Sequence, residues 1–150
     1  MPTVNNAPFL KLCSLSDVEK PEEVFQLFFN SWSDVIEKDK LEEFRSAVAS
    51  REEASATYLD RGLAVPHGRT GALDRVVVTV GYSEKGIPWP TSAQPAHLVI
   101  MLGIPEAMIT GYLLLMQKLL RWHKGTKAVT VEGIPTDLAL LERELTELLS

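Results

Sequence analysis

Sulfur chemistry is nearly missing from this chain of 150 residues, whose single cysteine, Cys13, excludes an internal disulfide and any pair of thiolates for a metal. A lone thiol of this kind fits a small apolar residue in a reducing cytoplasm. Long apolar runs are also missing. Stretches such as Leu113-Leu114-Leu115-Met116 are far too short to cross a bilayer, so no membrane insertion is expected. The start, Met1-Pro2-Thr3-Val4-Asn5, has neither the basic cluster nor the apolar core of a secretory signal, which again points to the cytoplasm. There is no excess of positive charge: 15 Lys and Arg stand against 20 Asp and Glu, a net charge of -5. Phosphate backbones are bound by clustered cations, so nucleic acid is excluded as the main partner, while a basic protein surface suits the acidic balance. The three histidines, His67, His97 and His123, show no metal-ligand spacing with each other or with Cys13, and no metal is expected. Repeats, low-complexity tracts and linkers are lacking as well, so residues 1–150 are expected to form a single domain.

What is present alternates between helical and strand patterns. Lys20-Pro21-Glu22-Glu23-Val24 reads as a helix start, with proline where its missing N–H costs nothing and carboxylates facing the positive end of the dipole. Val24, Phe25, Leu27, Phe28, Phe29 and Trp32 give that helix a wide apolar face. A second helix is predicted over residues 39–53, with Leu41, Phe44, Val48 and Ala49 turned inward. The β-branched run at 75–81 and the apolar run at 97–102 read as interior strands. A helix follows over 107–123, then a strand-like tail at 127–133 and a last helix capped by Thr136 with Leu138, Leu141, Leu145, Leu148 and Leu149 inward. The expected fold class is therefore α/β (α+β), a mixed central sheet with helices on both faces.

The stretch that carries chemistry is Gly62-Leu63-Ala64-Val65-Pro66-His67-Gly68-Arg69. Proline fixes its own φ and pushes Val65 toward extended backbone, and Gly68 is free to take φ > 0 and admit another molecule. The imidazole is then expected at the end of a short strand, Leu63-Ala64-Val65, with a nitrogen lone pair available near neutral pH. Taken alone, the octapeptide reads sooner as a solvated or packed turn than as a catalytic one. Upstream lie Arg51, Ser55 and Thr57, and a guanidinium fork with hydroxyls beside a histidine suits the handling of a phosphoryl group. Taken singly, Arg51 reads sooner as a surface ion pair with its neighbouring glutamates.

The spaced pattern Arg51-Glu52, Thr57 and Gly62-Leu63-Ala64-Val65-Pro66-His67-Gly68 resembles the enzyme IIA domains of the bacterial phosphoenolpyruvate-dependent phosphotransferase system, in the fructose, mannitol and nitrogen-regulatory (type 2) superfamily. The likeness extends through Lys20-Pro21-Glu22-Glu23-Val24, Gly86-Ile87-Pro88-Trp89 and Pro95-Ala96-His97-Leu98-Val99-Ile100-Met101-Leu102 to Pro105-Glu106, across residues 12–124. It implies a phosphocarrier whose His67 accepts a phosphoryl group from phospho-HPr and passes it to a IIB domain, or uses it as a signal to a regulated protein. It implies no cofactor, with Arg51 and Thr57 in the phosphate shell and backbone N–H groups near Gly68 completing it. Many members carry a second histidine where this chain has Tyr112, so Tyr112 is expected beside His67 with its hydroxyl available to the imidazole or the phosphate. Tyr112, Ser55 and Gly68 then form a supporting layer. The alternative is a degenerate IIA-like binding module without efficient transfer, with Tyr112 as its mark.

Overall fold

The computed structural model describes residues 9–108 and 110–149, and the segment 1–8, read above for a leader, lies outside them. In chain order the elements are β1 (Phe9–Ser14), α1 (Pro21–Ser31), α2 (Lys38–Ala54), β2 (Tyr58–Asp60), β3 (Leu63–Ala64), β4 (His67–Thr70), β5 (Val77–Ile87), β6 (Ala96–Pro105), α3 (Gly111–Gly125) and α4 (Leu138–Leu149). The two β-branched and apolar runs lie at the centre of the sheet as β5 and β6, paired antiparallel. β1 extends the sheet beyond β5 in parallel, and β3 and β4 both lie parallel along the other edge of β6. β2 closes the far side as a hairpin with β3.

Alternation along the central strands sends side chains to two separate cores. Val99 and Met101 of β6 pack with Phe28, Phe29, Phe44 and Val48 of α1 and α2. Leu98, Ile100, Leu102 and Ile104 pack on the other face with Leu119 of α3 and Leu141 and Leu145 of α4. Helices therefore cover both faces of a mixed sheet, the architecture expected from the alternating pattern. Trp32 closes the first core, its indole N–H donating to the buried Thr79 hydroxyl at 2.7 Å.

The start of α1 follows the sequence closely: Pro21 occupies its first turn, and the Glu23 carboxylate accepts from the Lys20 N–H at 3.1 Å. Other boundaries differ. The predicted strand at 75–81 continues to Ile87, and α3 begins at Gly111 rather than 107, because the chain after Pro105 first makes a turn closed by the Met108 N–H on the Pro105 carbonyl. Ala49 and Leu138 are exposed rather than turned inward. Thr136 does not cap α4. Its hydroxyl bonds the Ala128 carbonyl, and the Asp137 carboxylate accepts from the Leu140 N–H at 3.0 Å instead. The tail at 127–133 forms a turn with one isolated bridge, Val129 to Pro135, and no strand.

That turn meets the β2–β3 turn backbone to backbone. Gly62 (φ +77°) and Gly133 (φ +91°) both adopt left-handed conformations. A Cβ on Gly62 would stand 2.1 Å from the Glu132 carbonyl oxygen, and one on Gly133 would stand 2.2 Å from that of Arg61. The same turn is held from α3, where His123 Nε2 donates to the Arg61 carbonyl at 3.0 Å.

Candidate functional site

β3 and β4 are one strand with a break. Leu63 lies beside Leu98 and His67 beside Leu102, so the register along β6 does not slip across Val65-Pro66. Proline has no N–H for the ladder, which explains the gap, while its carbonyl still accepts from the Leu102 N–H at 2.9 Å. His67 thus opens β4 rather than ending the strand before it. Its side chain shares the α3 face with Leu102, and only 8% of the residue is exposed. The expectation of a displayed imidazole needs this correction: the residue is buried, and the ring of Tyr112, from the first turn of α3, lies near it, with ring centroids 6.5 Å apart and a tilt of 31°.

His67 Nδ1 lies 2.9 Å from the carbonyl oxygen of Val65. A carbonyl can only accept, so Nδ1 carries the proton, and in the neutral ring the lone pair resides on Nε2. Nε2 has no hydrogen-bond partner among the described residues. One backbone link back, the Val65 N–H donates to the Thr57 carbonyl at 2.8 Å, which ties Thr57 to the strand that carries the histidine.

Arg51 lies in the last turn of α2, and Thr57 lies in the loop just beyond it. The Arg51 Nη1 donates to the Ser55 carbonyl at 2.7 Å, and no ion pair joins it to the adjacent glutamates among the described residues. The Thr57 hydroxyl is already committed, donating to Glu52 at 2.7 Å, and the Thr57 N–H points at the same carboxylate at 3.2 Å. Glu52 was quoted in the pattern but given no task by the sequence; a carboxylate in the last helical turn, five residues before a threonine, is the signal that was there.

Gly68 has a negative-φ strand conformation, contrary to the reading of its role, and the molecule it admits is this one. A Cβ there would stand 2.7 Å from the Val48 nitrogen of α2. Beside it in the ladder is Gly103, where a Cβ would meet the Phe44 ring at 2.6 Å. The paired glycines let α2 settle directly onto β4 and β6.

Tyr112 approaches by its ring; its hydroxyl makes no hydrogen bond among the described residues. Arg69, which sequence reading passed over, also reaches that ring, its Cζ 5.7 Å from the centroid. The signal was its spacing, since residues two apart on a strand share a face. The other histidines lie elsewhere. His97 Nδ1 bonds the Ser83 carbonyl at 2.9 Å. His123 is buried, and loss of solvent holds its imidazole below the ordinary range.

Solved structures of the same architecture are enzyme IIA domains. The nitrogen regulatory protein IIA-Ntr from Neisseria meningitidis matches with a TM-score of 0.67 and 17% identity, over 95% of this chain and 97% of that one. Enzyme IIAMTL from Escherichia coli, solved in a complex with phosphorylated enzyme IIBMTL, matches with a TM-score of 0.68 and 19% identity, over 93% of this chain and 99% of that one. The family model for the phosphoenolpyruvate-dependent sugar phosphotransferase system, EIIA 2, matches residues 11–130, and the chain belongs to this family. Membership implies a part in phosphoryl transfer. The PTS system fructose-specific EIIABC component of Bacillus subtilis (strain 168) is 33% identical over 64 residues, 42% of this chain but only 10% of that protein's length. Among the described residues no helix is long and apolar enough to cross a membrane.

Proposed function

We propose that this chain is a phosphocarrier in which Nε2 of His67 accepts a phosphoryl group from a phosphorylated HPr-like protein. The group then passes to a IIB domain or acts as a signal to a regulated protein. The observation that carries this reading is the His67 to Val65 hydrogen bond, which fixes the tautomer and leaves Nε2 as the lone-pair nitrogen. In the step itself, the Nε2 lone pair forms a new N–P bond while the donor's N–P bond breaks, and that electron pair stays on the donor nitrogen. Such transfer is mostly positioning and charge stabilisation, so the protein has to hold the ring and surround the three equatorial oxygens with donors. Arg51, at the end of α2, supplies the first of these. The role given to Thr57 from its sequence position changes: with its hydroxyl on Glu52, it serves to hold the loop and, through Val65, the orientation of the imidazole.

Protein partners suit apolar surface on α3, where Leu113 and Leu114 are 53% and 57% exposed. The burial of His67 favours the second reading, a IIA-like binding module with weak or lost transfer.

One experiment separates the two. On incubation with enzyme I, HPr and phosphoenolpyruvate, the carrier gains an acid-labile phosphate on His67, and His67→Gln abolishes it. Absence of labelling supports the binding module, and phosphate on His97 or His123 overturns the assignment of the acceptor.

A further inference from the structure

Arg69 follows His67 by two residues in β4, so both side chains leave the same face of the strand. The ladder agrees: His67 lies beside Leu102 and Arg69 beside Ile104, and both of those partners belong to the core on the α3 side. The two side chains also converge on one aromatic ring. Tyr112 has the imidazole 6.5 Å from its centroid and the guanidinium carbon 5.7 Å from it. Arg69 is exposed and tethered at one corner only, where Nη2 donates to the Glu106 carbonyl at 2.9 Å. Among the described residues it has no other hydrogen bond and no ion pair. Most of its N–H fork is therefore open, and the cation is permanent. The Tyr112 hydroxyl has no partner among the described residues, so the ring's contacts are what it brings to this corner.

We propose that Arg69 contacts the phosphoryl group carried by His67, and that Tyr112 is a positioning residue that holds the guanidinium there through its ring. The inference rests on the reading of His67 as the acceptor. A phosphoryl group on the imidazole brings nearly two negative charges to this corner. A guanidinium fork stacked across the same ring meets those oxygens with charge-assisted hydrogen bonds.

The test labels His67 with two donors, phosphorylated HPr and potassium phosphoramidate, the second of which needs no partner protein. Arg69→Gln should slow labelling by both on the order of tenfold and shift the phosphohistidine phosphorus NMR resonance. Arg69→Lys, with the charge but not the fork, should recover part of the rate. Tyr112→Leu should slow labelling less than Arg69→Gln, and Tyr112→Phe should restore most of that loss. Because the ring acts through the guanidinium, the double variant Arg69→Gln/Tyr112→Leu should be no slower than Arg69→Gln alone.

An unchanged rate in Arg69→Gln with both donors, or additive losses in the double variant, overturns the proposal. A loss confined to HPr also overturns it, since Arg69 would then be docking the donor. Should Arg69→Gln fail to fold, Arg69→Lys decides, and an unshifted resonance with an unchanged rate refutes the contact. Wild-type labelling by phosphoramidate but not by HPr removes the donor assignment and leaves the contact to stand or fall on the variants. No labelling of the wild type at His67 by either donor overturns both readings.

Discussion

Glu52 holds the loop before the histidine at two points, the N–H and the hydroxyl of Thr57, and Thr57 is 8% exposed. Removing the carboxylate leaves both donors without an acceptor at a largely dry position. Glu52→Ala should therefore cost about 1–3 kcal/mol, read as a lower denaturant midpoint, and Glu52→Gln should keep part of that stability. If Thr57 met the phosphate with a free hydroxyl, Glu52→Ala would leave stability alone and change only transfer. Gly68 makes a second residue-scale prediction, because a methyl group there meets the backbone of α2 at 2.7 Å, and backbone gives way less easily than a side chain. Gly68→Ala should destabilise by about 1–3 kcal/mol, measured by chemical denaturation, and should slow His67 labelling as the strand is pushed from its place.

At the scale of elements, what could be read from the sequence was whatever depended on neighbours in the chain. The start of α1 is such a case, since Pro21 and Glu23 act within one turn. So are β5 and β6, whose β-branched and apolar runs carry their own preference for a sheet interior. The misjudged features were settled by distant segments. His67 has the ring of Tyr112 beside it because α3 brings it there, and Gly68 has no room for a side chain because α2 lies against it. Thr136 and Asp137 are both good caps by type, and the choice fell to Asp137 because the Thr136 hydroxyl turns to Ala128. The candidate site was legible to the extent that His67, Arg51 and Thr57 share a short stretch of sequence. Arg69 lay in plain view, but its relation to His67 required knowing that a strand begins at the histidine.

For the whole molecule, His123 links stability to pH. Burial holds its pKa below the ordinary 6.5, with the Arg61 carbonyl bond acting in the opposite, weaker direction. The unfolded chain therefore takes up a proton at a higher pH than the folded one, and stability is lost as pH falls through about 6.5 and on toward the folded value. His123→Gln, which keeps a donor for Arg61 but does not titrate, should show a smaller loss of thermal midpoint on going from about pH 7 to about pH 5. An identical acid-side loss in wild type and variant would place the sensitive group elsewhere. The segment that meets Arg61 and Gly62 has a further consequence in the order of synthesis. A ribosome delivers the chain from its N-terminus, so the hairpin leading to His67 leaves the tunnel well before Gly133 has been made. Until Glu132 and Gly133 arrive, that hairpin lacks the backbone it is shaped to rest against. That support is made only once translation has passed α3.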